Sequence, residues 1–552
     1  MQTVRPSLRS ILMGFALAIT LCFMNSYLTL SFGVIEEGPT IAALFFFAFF
    51  LLAKNKVTAH EMVIVATMGS AGGSLGFITN FYAAKAMTGE AFPFWHMVAF
   101  AVATSLVGLV MVVPLKQLLI IKEKLPWPGS KAVESVIRAL VEHGDPKQAR
   151  ILLIVTAALI GFVLVNDDGG FGWLPSETAL PFIAVVGGAI AWSPFAIGGS
   201  YLMGFRTCVG FLVGGAALMI LAPHFPTPAA TPHKFFWPGL GFLVASGVVN
   251  LLRNWRSFAD ALKSIVALKG VKGAAQDDDP LMSSKTFLVF TAVAFLTTLG
   301  LLTFVFGVPA LLVLLLIVVG GFLQNIIATR AAAVTAFNPA RVMGILLQGV
   351  TSLFGGSSLS VNLIGAGFVA GSGSQASVLT GDLVYGRAFK VPSAHQFWTQ
   401  LATVVPCAIV SAFAFSRINA VEPMTFQTKM PAPVAKMWAA SAQIFDGSQP
   451  LPEGAVRWLI IGAIVGAVYV LIEAIPKLHK YLPESTGVGL GLVLAVPYDL
   501  SFFLGGFVMW IVLGRWLKWS DVTLTTIAVA SIVAEGLGGV AKPLLTLAGV
   551  LH

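Results

Sequence analysis

Polarity along this chain changes in long blocks. Apolar runs lie at about 10–31, 39–53, 61–80, 94–115, 150–165, 180–193, 196–222 and 238–252. The second half continues at about 286–306, 308–328, 339–355, 358–378, 394–415, 456–474, 484–496, 499–514 and 521–541. A helix needs roughly 20 apolar residues to cross a bilayer. These about seventeen segments predict an all-α polytopic membrane protein, and the shorter ones predict discontinuous or re-entrant helices.

The pattern also repeats. Asn25 stands fourteen residues before Pro39, and Asn325 stands fourteen before Pro339. Pro93 and His96 are answered by Pro392 and His395. Pro194, Gly198, Gly199 and Gly214-Gly215 are answered by Pro483, Gly487, Gly489 and Gly505-Gly506. Two pseudo-repeats follow: an N-terminal half over 1–252 and a C-terminal half over 286–552, joined by a polar linker at 253–285. A duplicated half in so apolar a chain is the mark of a transporter whose substrate sits between repeats.

Composition sharpens this reading. The 552 residues are 57% hydrophobic and 10% charged, against about 25% charged in soluble domains. The net charge of +9 gathers before the first span, after the second, and in 116–150 and 253–285. With the N-terminus cytoplasmic, all four basic stretches fall inside. That argues for topology and against a nucleic-acid partner. The first run, too long for a signal peptide core, is expected to stay as a span. The linker contains Asp277-Asp278-Asp279-Pro280, and 417–455 reads as a proline-rich external loop with a short surface helix. Trp127, Trp237, Trp255, Trp458, Trp516 and Trp519 are expected at span ends, as interface anchors. Cys22, Cys208 and Cys407 lie in apolar runs and read as small hydrophobes. No phosphate-binding G-x-x-x-x-G-K-[ST], zinc-protease H-E-x-x-H or G-x-S-x-G occurs, so neither ATP-driven transport nor an enzyme is supported, and no cofactor, metal ligand or catalytic residue is assigned.

Ionisable and amide groups inside spans are functional candidates by default. Glu535, in Ala534-Glu535-Gly536-Leu537-Gly538-Gly539, reads either as a proton-coupling carboxylate or as one satisfied by a neighbouring helix. Asp382, with Arg387 and Lys390 close behind, reads as a gate or clamp, or as a solvated helix end. Arg206 needs an anionic partner, either a substrate carboxylate or Glu535. Asn25 and Asn325 line a cavity or bind helices together. Asn362 and Gln375 are further candidates for substrate hydrogen bonds. Glu36-Glu37-Gly38-Pro39 reads as an external mouth or a solvated turn, and His96 and His395 as interface residues or ligands. The runs Gly69-Ser70-Ala71-Gly72-Gly73-Ser74 and Gly371-Ser372-Gly373-Ser374 predict either close helix packing or broken helices lining a polar cavity.

Several of these motifs carry a family likeness. Gly381-Asp382-Leu383-Val384-Tyr385-Gly386 with Gln396-Phe397 resembles the D-L-K-T-G-Y…Q-F segment of the oligopeptide transporter family, which includes the yellow-stripe-like metal-chelate transporters. Leu125-Pro126-Trp127-Pro128-Gly129-Ser130 with Glu134 is similar to its L-P-F-P-S-G-x-A-x-A-E segment. Pro483, Gly487, Gly489 and Gly505-Gly506 are similar to its P-x-x-x-G-x-G…G-G, and Glu535-Gly536-Leu537-Gly538-Gly539 to its closing E-G-L-G-G. Val384 and Arg387 stand where the family commonly has Lys and Tyr, Gly129 and Ser130 are exchanged, and Glu134 and Pro392 each come one place early. The resemblance implies about 16 transmembrane helices in two related halves. It also implies a central substrate path and proton-coupled uptake of short peptides or of metal chelates. The expectation is a secondary carrier working by alternating access in a bacterial inner membrane. Asp382 and Glu535 would serve protons or charge recognition, and the lipid bilayer, protons and a small substrate would be its partners.

Overall fold

A computed structural model describes residues 5–32, 57–141, 146–166, 171–184, 187–221, 236–253, 279–335, 338–355, 358–426, 432–448 and 454–547, with a few positions between 39 and 46. Glu36-Glu37-Gly38, Trp255, Asp277-Asp278 and most of the 253–285 linker lie outside these residues. The described residues are helical almost throughout. Among the described residues, eight helices are long and apolar enough to span a bilayer: Leu8–Tyr27, Ala59–Met87, Phe94–Lys122, Ser284–Phe304, Ala310–Thr335, Ser393–Ala420, Ala455–Glu473 and Val496–Trp516. Shorter apolar helices add to them at Ile154–Val165, Phe205–Leu221, Trp237–Asn250 and Met343–Phe354. This is the all-α polytopic architecture that the hydrophobic blocks predict.

The chain forms two compact units, and each takes segments from both sides of the linker. One comprises 1–125, 253–330 and 338–451; the other comprises 126–252, 331–337 and 452–552. The first contains the matched spans Ala59–Met87 and 359–388, as well as Phe94–Leu115 and Ser393–Val421.

In the first unit, glycine sets the spacing. The helix Ala59–Gly76 opens on a capping box in which Thr58 accepts from the Glu61 N–H and Glu61 accepts from the Thr58 N–H. It then runs unbroken through the glycine run 69–74, so close packing, not a broken helix, is what those glycines provide. A Cβ on Gly72 would collide with the backbone of Ala18, and one on Gly76 would fall 2.7 Å from Asn25 Cβ. In the other repeat a Cβ on Gly371 would collide with Thr104. There the backbone widens into a π-turn over Val369–Gly373 between the helices Leu359–Phe368 and Ser374–Ala388. Helices this close gain dispersion contacts that lipid cannot supply.

Other expectations are corrected. The apolar run 180–193 is not a span. Pro181 and the left-handed Gly187 (φ +82°) stop a helix, and Glu177–Ala179 pairs antiparallel with Ala189–Ala191 instead. The run 196–222 divides at Gly204 (φ +88°) into short helices, Pro194–Gly198 and Ser200–Met203, and the longer Phe205–Leu221. The run 484–496 breaks after Ser485–Gly491. The helix expected on the surface of 417–455 is Pro433–Phe445, and it packs inward, with fully buried Trp438 edge-on to Phe77. Trp127 and Trp237 are also buried, whereas Trp516 and Trp519 are exposed.

Gly72→Ala is expected to lower stability by about 1–3 kcal/mol, the usual range for overpacking, because the methyl meets backbone. Gly300→Ala, where nothing lies within 4 Å, is expected to be neutral or to stabilise by up to about 1 kcal/mol through helix propensity. Thermal melting of the purified variants in one detergent compares the two.

Candidate functional site

The spans Ala59–Met87 and 359–388 lie antiparallel, as their contacts show. Thr67 Oγ1 is 3.4 Å from Tyr385 Oη, Ser70 Oγ donates to Asp382 Oδ1 at 3.3 Å, and Gln375 Nε2 donates to Ser74 Oγ at 2.7 Å and to the Ala71 carbonyl at 3.3 Å. Residue numbers rise along one helix as they fall along the other. A third helix, Ser393–Val421, completes the seam. Gln400 Nε2 donates to Gln375 Oε1 at 2.7 Å, and Gln396 Nε2 donates to Thr67 Oγ1 and to the Asp382 carbonyl, both at 2.9 Å. All these side chains are buried. The seam thus consists of hydroxyls, amides and one carboxylate, which hold these three helices together.

Beside it lies a second polar group. The π-turn Val319–Gln324 packs against the π-turn Val369–Gly373. A Cβ on Gly373 would lie 3.0 Å from Gln324 Nε2 and 3.4 Å from Asn325 Oδ1. Asn325 Nδ2 donates to the Gly321 carbonyl at 3.2 Å. Both amide atoms of Gln324, Asn325 Oδ1 and Ser374 Oγ have no hydrogen-bond partner among the described residues, nor do the amide atoms of Asn362. Single π-turns occur often at functional sites, and buried amides left unpaired are rare enough to need a reason.

The matched asparagines behave alike. Asn25 sits against Gly76 and Asn325 against Gly373, so each flanks a glycine at or just beyond the glycine run of its own repeat. Gln375 and Asp382 join the seam. Arg387 does not: it is exposed in the last turn of Ser374–Ala388, five residues or about 140° round the helix from Asp382. Arg206 meets Glu473 and not Glu535. It pairs with Glu473 at 3.0 Å, donates to the Leu482 carbonyl and lies 2.9 Å from His479 Nε2. Glu535 Oε2 accepts from the Phe195 N–H at 3.3 Å, at the start of the short helix Pro194–Gly198. His395 meets His60 (3.4 Å between ring nitrogens), while His96 rests on Phe306.

Full charges in the first unit gather near helix ends. Arg9 pairs with Glu61, Arg330 with Glu123, and Lys116 with Asp279, whose carboxylate also caps the Ser393 N–H at 3.0 Å. The sequence alone singles out neither Gln324 nor Asp499, whereas Ser374 lies in the glycine run 371–374. Gln324 stands where the first half has the apolar Met24, so the echo does not mark it. Asp499 is the one carboxylate at the head of the run 499–514.

Comparison with known proteins adds a family to this geometry. The family model described as "OPT oligopeptide transporter protein" matches residues 7–545. Two relatives carry the name "Putative oligopeptide transporter". That from Haemophilus influenzae is 23% identical over 604 aligned positions, covering 95% of this chain and 93% of its own. That from Saccharomyces cerevisiae is 20% identical over 551 positions, covering 76% of each.

Gln375→Leu is expected to leave Gln400 Nε2 without its partner, at about 1–3 kcal/mol, while Ser74 Oγ keeps its bond to the Ala71 carbonyl. A fall in melting temperature larger than that of Thr20→Val, whose hydroxyl is exposed and bonds only to its own helix at Ala16, checks this.

Proposed function

This chain belongs to the oligopeptide transporter family, and on that premise we propose that it takes up short oligopeptides with protons, by alternating access between its repeats. The observation that carries the reading is the buried seam where matched spans of the two repeats meet through Ser70, Ser74, Gln375 and Asp382. A carrier of this type needs polar groups between elements that can move against each other.

The chemistry of the seam fits the substrate. A peptide group offers one N–H donor and one C=O acceptor, and a primary amide offers their complement. Gln324, Asn325 and Asn362 supply unpaired amide atoms, Gln375 follows Asn362 along 359–388, and Asn25 lies on Leu8–Phe32, which packs against Ala59–Gly76. Asp382 supplies a single carboxylate, suited to a peptide amino group or to a proton. Glu535 is the second coupling candidate, and its hydrogen bond to Phe195 would break on movement of the short helix. Arg206, engaged with Glu473, serves transport through that ion pair, and Arg387 contacts substrate only at the end of its path. The repeats 1–252 and 286–552 are joined by a cytoplasmic linker at 253–285, and each contributes segments to both compact units, in a bacterial inner membrane with the N-terminus inside.

The test is uptake of a mixed short-peptide pool into proteoliposomes under an inward proton gradient, with mass spectrometry of the lumen. Accumulation abolished by a proton ionophore is expected. Asp382→Asn is expected to slow it by at least about tenfold, or about 1.4 kcal/mol. Glu535→Gln is expected to flatten its pH dependence, and unchanged pH dependence would remove Glu535 from coupling. If folded, inserted protein takes up no peptide, the peptide reading fails and metal chelates become the substrates to assay.

A further inference from the structure

One buried carboxylate has no role in the reading above. Asp499 lies in the helix Val496–Gly506 of the second unit and is fully buried. Neither of its carboxylate oxygens has a hydrogen-bond partner among the described residues. The surroundings accommodate it closely. The helix Phe205–Leu221 turns a glycine face to this part of the chain. A Cβ on Gly210 would lie 2.9 Å from the Glu484 carbonyl, one on Gly214 2.5 Å from the Val488 carbonyl, and one on Gly215 2.8 Å from Asp499 Cβ and 2.9 Å from Oδ2. The carboxyl therefore occupies the space that a side chain at 215 would take. Immediately before it, the chain leaves helical geometry between Gly491 and Val496.

The charged and titratable groups on the packed elements are engaged elsewhere. Arg206 is held by Glu473, Cys208 donates to the Ser200 carbonyl, and Tyr201 donates to Asp521. Glu484 accepts from Thr486, Glu535 accepts from Phe195, and Arg515 is exposed. The nearby hydroxyl of Ser501 donates to the Ala191 and Pro497 carbonyls and accepts from the Ala191 N–H. An ionised carboxylate buried without a partner is very costly, and a neutral acid far less so. Coupling-ion sites in carriers gather at interrupted helices.

We propose that Asp499 is a proton-binding site of this carrier and that the interrupted segment 491–496 controls its access to water. An O–H bond forms with a proton taken from water on one side. It breaks when that proton returns to water on the other side, which regenerates the carboxylate. The coupling role rests on the proton-driven reading above; the proton-binding role does not.

Infrared spectroscopy of the full chain in lipid, at neutral pH, tests the site directly. The wild-type spectrum minus that of Asp499→Asn is expected to contain the carbonyl stretch of a protonated carboxyl. Asparagine is nearly isosteric, and Gly215→Ala serves as a second variant whose methyl presses on the carboxyl and is expected to shift that band. In proteoliposomes, accumulation by Asp499→Asn under a proton gradient is expected to fall to the level of an ionophore-treated control. No protonated-carboxyl band in the difference spectrum of folded protein would overturn the proposal. So would wild-type accumulation by Asp499→Asn, or sodium-dependent stabilisation lost in Asp499→Asn with no acid band, which would make the site a cation site. A band at Asp499 in a protein that accumulates no peptide would sustain the proton site and sink the peptide reading.

Discussion

Contact between helical backbones with no side chain between them is the constraint on which the first unit depends. Lipid is as apolar as leucine, so burial in a bilayer gives helices little reason to associate. Close approach must supply the attraction, and only glycine permits it at Gly72 against Ala18 and Gly108 against Ser372. Ala59–Gly76, held to Leu8–Phe32 in this way, also carries Ser74, 2.7 Å from Gln375, and Ser70, 3.3 Å from Asp382. A larger residue at 72 would push the first two spans apart and loosen one wall of the seam.

That constraint also explains where charge is placed. Pairs of full charges in the first unit, such as Arg9 with Glu61 and Lys116 with Asp279, lie near helix ends. In the interior the unit relies on amides and hydroxyls, which cost less to bury when paired. Asp382 is the exception in the seam, and it accepts a hydrogen bond from Ser70.

Much of this was legible in the sequence because it depends on period and on residue size. The hydrophobic blocks gave the spans, and the 300-residue echo of Asn25 in Asn325 marked positions that each sit beside a glycine. Gln375 and Asp382 were found because polar residues in apolar runs are conspicuous. What was not legible depends on partners distant in sequence. Nothing local to Arg206 points to Glu473, 267 residues away. Nothing in the run 180–193 reveals a hairpin except Pro181 and the glycine pair, whose φ the composition does not set. The glycine run 69–74 fits a break and close packing equally well in the sequence, and only the neighbour Ala18 decides between them.

The amides beside the seam bear on affinity as well as on fold. Gln375 spends its Nε2 on Ser74 and its Oε1 on Gln400, so it holds the repeats together and has little left for a ligand. Gln324 and Asn362 have both amide atoms without partners among the described residues; Gln324 closes one π-turn, and Asn362 lies on the helix that leads into the other. A group that pairs with such atoms gains more than an ordinary hydrogen bond, because it also removes the cost of leaving them unpaired. A site built this way discriminates strongly against molecules that lack the matching donor and acceptor. On the proposed reading, selectivity for the peptide group would reside in Gln324, Asn325 and Asn362, and the interlocking of the repeats in Gln375, Gln396 and Gln400. Substrate that satisfied the first set while a movement of the repeats strained the second would couple binding to the change of access.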